Sequence, residues 1–156
     1  MQGNTEVIEL LNEVLTAELT AINQYFVDGK MFANWGYERL AKKFTDESID
    51  EMKDADKLIE RILYLDGVPN LQRLGTVRVG ETPLEKLEAA LDLERAAIER
   101  LNAGIALCTD HADNGTRDLL EDILEGEEEH ADWIETQLAI VERIGEAHYL
   151  AQHIHD

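Results

Sequence analysis

Cysteine, proline and basic residues are scarce in this chain, and each scarcity excludes something. One cysteine, Cys108, cannot form an internal disulfide, which agrees with a reducing compartment. Two prolines, Pro69 and Pro83, leave long segments with no helix breaker. Fourteen Lys and Arg stand against 34 Asp and Glu, a net charge of −20. Such a surface repels nucleic acid and anionic membrane and attracts cations. No apolar run approaches the roughly 20 residues needed to cross a bilayer. The opening residues Met1 to Glu6 lack the basic and apolar regions of a secretion signal. The expectation is one cytoplasmic domain, residues 1–156, large enough for a proper core.

What remains is rich in Leu, Ile, Ala, Glu and Asp, a composition that favours an all-α chain. The first helix is expected from Thr5 to Asn34, with Asn4 or Thr5 as N-cap and Gly36 past its end. Its inward stripe is Leu11, Leu15, Glu18, Ile22, Tyr25. A second helix, Tyr37 to Asp66, carries Leu40, Phe44, Glu47, Glu51, Leu58, Ile62 and Leu65, with Asp54 also facing inward. Gly67 and Pro69 end it. Both helices have a second apolar strip, which suggests a subunit interface.

The link from Val68 to Glu81 holds Leu71, Leu74, Val77 and Val79, too apolar for a floppy linker. Two helices of about 30 residues are roughly 45 Å long. A link of about 15 residues reaches about 50 Å when extended. It can therefore return along the bundle, so that the third helix runs parallel to the second. That third helix has a clear start: Thr82 as N-cap, Pro83 at the first turn, Glu85 completing a capping box. Its stripe is Leu87, Leu91, Glu94, Ile98, Leu101, Ile105. Asn114-Gly115 marks the next turn. A fourth helix from Thr116 to about Arg143 carries Leu120, Ile123, Glu127, His130, Ile134, Leu138 and Val141. A short amphipathic piece from Glu146 to His155 is read as a fifth helix.

Each of the four long stripes is thus interrupted by acid. Unpaired carboxylates on dry helix faces are costly, so something must be paired with them. Glu127 and His130, one turn apart, aim at one point. Glu18 to Glu51 spans 33 residues, and so does Glu94 to Glu127. Each half of the chain is then a hairpin with a lone Glu on its first helix and a two-residue motif on its second: Glu51 with Asp54, and Glu127 with His130. This is the arrangement of carboxylate-bound di-iron or di-manganese centres in ferritin-like bundles, in which carboxylates and imidazole hold and bridge two ions. The fold expected is a ferritin-like four-helix bundle with one long crossover and a short C-terminal fifth helix.

The chain resembles the bacterioferritins, the haem-containing ferritins, over essentially its whole length. The segments that carry the likeness are Met1-Gln2-Gly3, Glu18 to Phe26 (ELTAINQYF), Glu47 to Met52 (ESIDEM), Ala55 to Leu65 (ADKLIERILYL), Pro69 to Gln72 and Glu127 to Leu138 (EEEHADWIETQL). The resemblance implies a 24-subunit cage built from two-fold dimers. It implies a ferroxidase centre inside each bundle, oxidising Fe²⁺ with dioxygen or hydrogen peroxide for storage as ferric mineral. Glu51 and Glu127 would bridge two irons, Glu18 would hold one, and Glu94 with His130 the other. It also implies haem b between paired subunits, held by one Met from each. Met52 matches that ligand, although a Met on an apolar strip is commonly a core filler. Leu19, Ile22, Asn23, Phe26, Ile49 and Ile59 would line the haem pocket, and a ferredoxin would be its electron donor.

One position departs from the family. Where His is usual, this chain has Asp54. Either Asp54 still binds iron, since its Oδ lies as many bonds from Cβ as a histidine Nδ1, or the centre is impaired. In the second case the chain is a haem-binding structural cage subunit, beside an active partner subunit type. Smaller roles are open as well: Asp46 and Asp50 as cavity-side acids, Tyr25 or Trp133 as electron sources, and the terminal histidines His148, His153 and His155 at a pore.

Overall fold

The computed structural model describes residues 1–155; Asp156, which the expected domain includes, lies outside the described residues. Among the described residues five helices follow one another: α1 (Thr5–Trp35), α2 (Glu38–Tyr64), α3 (Pro83–Asp110), α4 (Asn114–Ile144) and α5 (Glu146–Ala151). This is the all-α, ferritin-like bundle expected, with its crossover between α2 and α3 and its short fifth helix.

Local chemistry sets most of the ends. Asn4 Oδ1 accepts from the amides of Glu6 and Val7, so Asn4 is the cap of α1. Gly36 ends α1 at φ 91°, a left-handed position that favours glycine. Thr82 Oγ1 accepts from the Glu85 amide, and Pro83 opens α3. The reciprocal half of the expected capping box is displaced: Glu85 Oε2 accepts from the Glu81 amide, one residue before the cap.

Three boundaries differ by two residues or more from the sequence reading. α2 stops at Tyr64, and the left-handed residue after it is Asp66 (φ 60°) rather than Gly67. Asn114 and Gly115 are helical, and the turn lies before them, with Ala112 at φ 54° and Asp113 as the cap. Asp113 decides this because it takes three bonds, from the Thr116 amide and hydroxyl and from Arg61 Nη2. The fifth helix ends at Ala151 rather than His155.

α1 pairs with α2 and α3 with α4, while α1 also meets α3 and α2 meets α4. The ends that touch give the directions. Lys86 near the start of α3 bonds Asp28 near the end of α1. Arg61 near the end of α2 bonds Thr116 near the start of α4. Hence α3 runs opposite to α1 and along α2, as the crossover length allows. The crossover is tied to α1 by its backbone: Asn70 N–H to Asn12 Oδ1, Gly75 N–H to Thr20 Oγ1, and Arg78 N–H to Gln24 Oε1. Its Leu71, Leu74 and Val79 side chains are about half exposed, so they point away from the bundle.

The core is split. One cluster joins Val7, Leu11, Leu15, Leu58, Ile62, Leu101 and Ile123 at one end. The other joins Tyr25, Phe32, Leu40, Phe44, Leu91, Ile134 and Tyr149 at the opposite end. Between them, on all four helices, comes a layer of acid.

Candidate metal centre

Glu18, Glu51, Glu94, Glu127 and His130 are all buried, each at most 3% exposed. Glu18 follows Leu15 on α1, and Glu94 follows Leu91 on α3. Glu51 lies between Phe44 and Leu58 on α2, and Glu127 between Ile123 and Ile134 on α4. The helical period therefore carries each acid inward on the same stripe as its apolar neighbours.

One carboxylate oxygen from each of Glu18, Glu51, Asp54 and Glu127 lies within 4.8 Å of the others, close enough for one ion to reach all four. His130 Nδ1 and Glu94 Oε1 stand 2.9 Å apart on the other side. Glu18 and Glu51, Glu51 and Glu127, and Glu127 and Glu94 act on one another electrostatically across the layer. All six residues picked from the sequence thus meet in one layer. Met52 does not. It is 56% exposed on the outer face of α2, one turn from exposed Ile49, and Phe26 on the paired helix α1 is exposed as well.

The electrostatics are those of crowded acids in a dry place. Burial, reinforced by the neighbouring carboxylates, pushes Glu18, Glu51 and Glu127 well above the usual carboxylate range. Burial also acts on Glu94, but hydrogen bonds to Glu127, His130 and Tyr25 outweigh it and hold that carboxyl low. Asp54, half-buried at the edge, is pushed up to about 6 by burial, with Asp122, Asp50 and Glu94 adding to the rise and Lys57 opposing it. One oxygen on each of Glu18, Glu51 and Glu94 has no partner although buried. Orphaned acid oxygens buried in one layer fit a pair of hard or borderline cations, which would displace the protons and satisfy the lone pairs.

Two contacts escaped the sequence reading. Tyr25 donates its hydroxyl to Glu94 Oε1, so its place on the Glu18 stripe serves more than packing. Glu47 Oε2 lies 3.5 Å from His130 Nδ1. Its position on the α2 stripe was the available signal. Trp133 stacks on His130 with ring centres 6.2 Å apart. Of the terminal histidines, His153 is buried against Tyr149, whereas His148 and His155 are exposed. Asp46 and Asp50 are exposed on α2.

The profile of the ferritin-like domain matches residues 8–144. The bacterioferritin of Mycobacterium leprae is 51% identical over 97% of this chain and 96% of its own length. The chain belongs to the bacterioferritin family. Among its other bacterioferritin relatives, that of Streptomyces coelicolor is 50% identical over 97% of this chain and 90% of its own. That of Rhodobacter capsulatus is 43% identical over 93% and 90%. Membership in the bacterioferritins supports iron storage as the broad function, and the buried acid layer is where this member could hold metal. Among the described residues no helix is long and apolar enough to cross a membrane.

Proposed function

We propose that this chain, as one ferritin-like domain, oxidises Fe²⁺ at a two-ion centre inside its bundle and stores the product as ferric mineral in a 24-subunit cytoplasmic cage. The observation that carries the reading is the acid layer itself. Four carboxylates and an imidazole replace apolar residues between two well-packed cores, at a stability cost that bound cations would offset. In this reading Glu51 and Glu127 would serve both ions, Glu18 and Asp54 would hold one, and Glu94 and His130 would hold the other. Two Fe²⁺ give one electron each to dioxygen, which takes up two protons and leaves as hydrogen peroxide. Protons released from Glu18, Glu51 and Glu127 on ion binding are at hand for that uptake.

The competing reading makes the chain a haem-binding structural subunit with an impaired centre, completed by a second subunit type. The placement of Asp54 within 4.8 Å of Glu18, Glu51 and Glu127 favours the active centre. Stopped-flow mixing of the metal-free protein with two Fe²⁺ per subunit in air tests this. A fast oxidation phase is expected. No fast phase in the parent, with Asp54→His creating one, would establish the impaired centre instead.

Haem fits the outer face of the α1–α2 hairpin. Met52 offers its sulfur there, Phe26 and Ile49 are exposed in the same region, and Leu19, Ile22 and Ile59 are half-buried. Two copies of this face, each giving Met52, would hold one haem b, which would carry electrons from a ferredoxin donor towards the mineral.

A further inference from the structure

Two cavities meet at the acid layer, and their chemistry differs. One, of about 180 Å³, opens between α1 and α3 past the small side chains of Ala17, Ala21, Ala96 and Ala97. The other, of about 140 Å³, opens between α2 and α4 and is lined by Lys43, Glu47, Asp50, Asp54, Glu129 and His130. Lys43 is out of place beside a centre meant for cations.

Its contacts explain it. Lys43 Nζ is 3.0 Å from Glu47 Oε1 and 4.8 Å from the centre of the Trp133 ring. Trp133 in turn stacks on His130. The other oxygen of Glu47 is the one 3.5 Å from His130 Nδ1. Glu47 and Glu94 therefore flank the same nitrogen from two helices, and Glu47 shares with Lys43 the oxygen that does not face His130. An ordinary i, i+4 pair on a helix surface leaves both charges in water. Here the Glu47 side chain is only 14% exposed and stands one turn before Glu51 on the same face.

We propose that Glu47 is a further metal-binding carboxylate of this centre, serving the ion on the Glu94–His130 side and holding it on its way through the α2–α4 cavity, with Lys43 as the counter-charge that restrains Glu47 while the ion is absent. The inference rests on the two-ion reading above. A cation arriving at His130 Nδ1 competes with Lys43 for the Glu47 carboxylate, so Lys43 sets how tightly that ion is kept and how readily it leaves.

Anaerobic titration of the assembled, metal-free protein with Co²⁺ alone, followed by its visible absorption, tests this without any oxidation step. The parent is expected to take two Co²⁺ per subunit. In Glu47→Gln one of the two is expected to bind about tenfold more weakly, with the other unchanged. Lys43→Gln is expected to tighten that same ion about threefold, and the gain is expected to vanish in the Lys43→Gln/Glu47→Gln double variant. Asp132→Asn removes an exposed charge of α4 that does not line this cavity, and is expected to leave both affinities within about twofold. Unchanged binding in Glu47→Gln, an equal loss in Asp132→Asn, or a Lys43→Gln gain that persists without Glu47 would overturn the assignment while the two-ion centre stands. Failure of the parent to bind a pair of Co²⁺ would overturn the two-ion reading, and this one with it.

Discussion

Asp54 is the residue on which this member of the family turns. Its carboxyl, ordinarily near 3.8, is raised to about 6 in the fold, with burial the first cause. The folded chain therefore holds that proton more tightly than the unfolded chain. The stabilisation is fully present below about pH 4 and is lost as pH rises through about 6. Metal-free protein carrying Asp54→Asn should keep that stability at neutral pH. In chelator, its melting temperature is expected to exceed the parent's by a few degrees at pH 7 and to match it near pH 4. An advantage of equal size at both pH values would show that Asp54 does not titrate as described. With metal bound the ranking is expected to invert, because Asn cannot offer an anionic oxygen.

At the scale of helices, two polar contacts set how the hairpins dock. Lys86 and Asp28 form an ion pair with both side chains at most 1% exposed, and Lys86 Nζ also lies 3.2 Å from Met31 Sδ. A buried pair of this kind adds little net stability over apolar residues, but losing one partner strands the other. Lys86→Ala is expected to destabilise the chain by about 3–5 kcal/mol in urea unfolding, and Asp28→Leu/Lys86→Met to recover most of the loss. A mild effect of Lys86→Ala would mean that Asp28 finds water in the fold. At the opposite end Asp113 caps α4 and takes a bond from Arg61 on α2. Asp113→Ala should cost about 2 kcal/mol, near the upper end for a cap, because it also breaks that link between helices. A loss under half that size would reduce Arg61 to a surface partner.

For the whole molecule, the outer face of the α1–α2 hairpin and the crossover are the apolar surfaces that await partners. Phe26, Ile49, Met52, Leu63, Val68, Leu71 and Leu74 are each about half exposed or more. Exposed apolar side chains in such number mark an interface rather than a free surface. Haem between two copies of Met52 would cover part of it. Met52→Leu is expected to abolish the Soret band of protein reconstituted with haem while leaving its size in gel filtration unchanged. A variant that still binds haem with an unaltered spectrum would remove Met52 as the ligand. The charge of −20 per chain then falls on the remaining surfaces, where it favours cations over anions.

The sequence by itself determined the helices, the crossover and the acid layer. Each of these is written in one dimension: caps and glycines at the ends, a period of 3.6 along the stripe, and equal spacing of acids in the two hairpins. It also singled out Asp54 as the odd position. Where local signals competed, reading along the chain misplaced them. Asn114-Gly115 looked like a turn, yet Asp113 caps the helix because Arg61 and Thr116, from two different helices, converge on it. Only the tertiary structure decided which oxygen faces which partner. It brought Asp54 into reach of Glu18 and Glu127, set Tyr25 on Glu94, and placed Glu47 and its lysine beside His130. The physical reason is that a stripe gives the direction of a side chain about its own axis. The rotation and offset of one helix against the next, which decide contacts at the ångström level, come from packing among residues far apart in the chain.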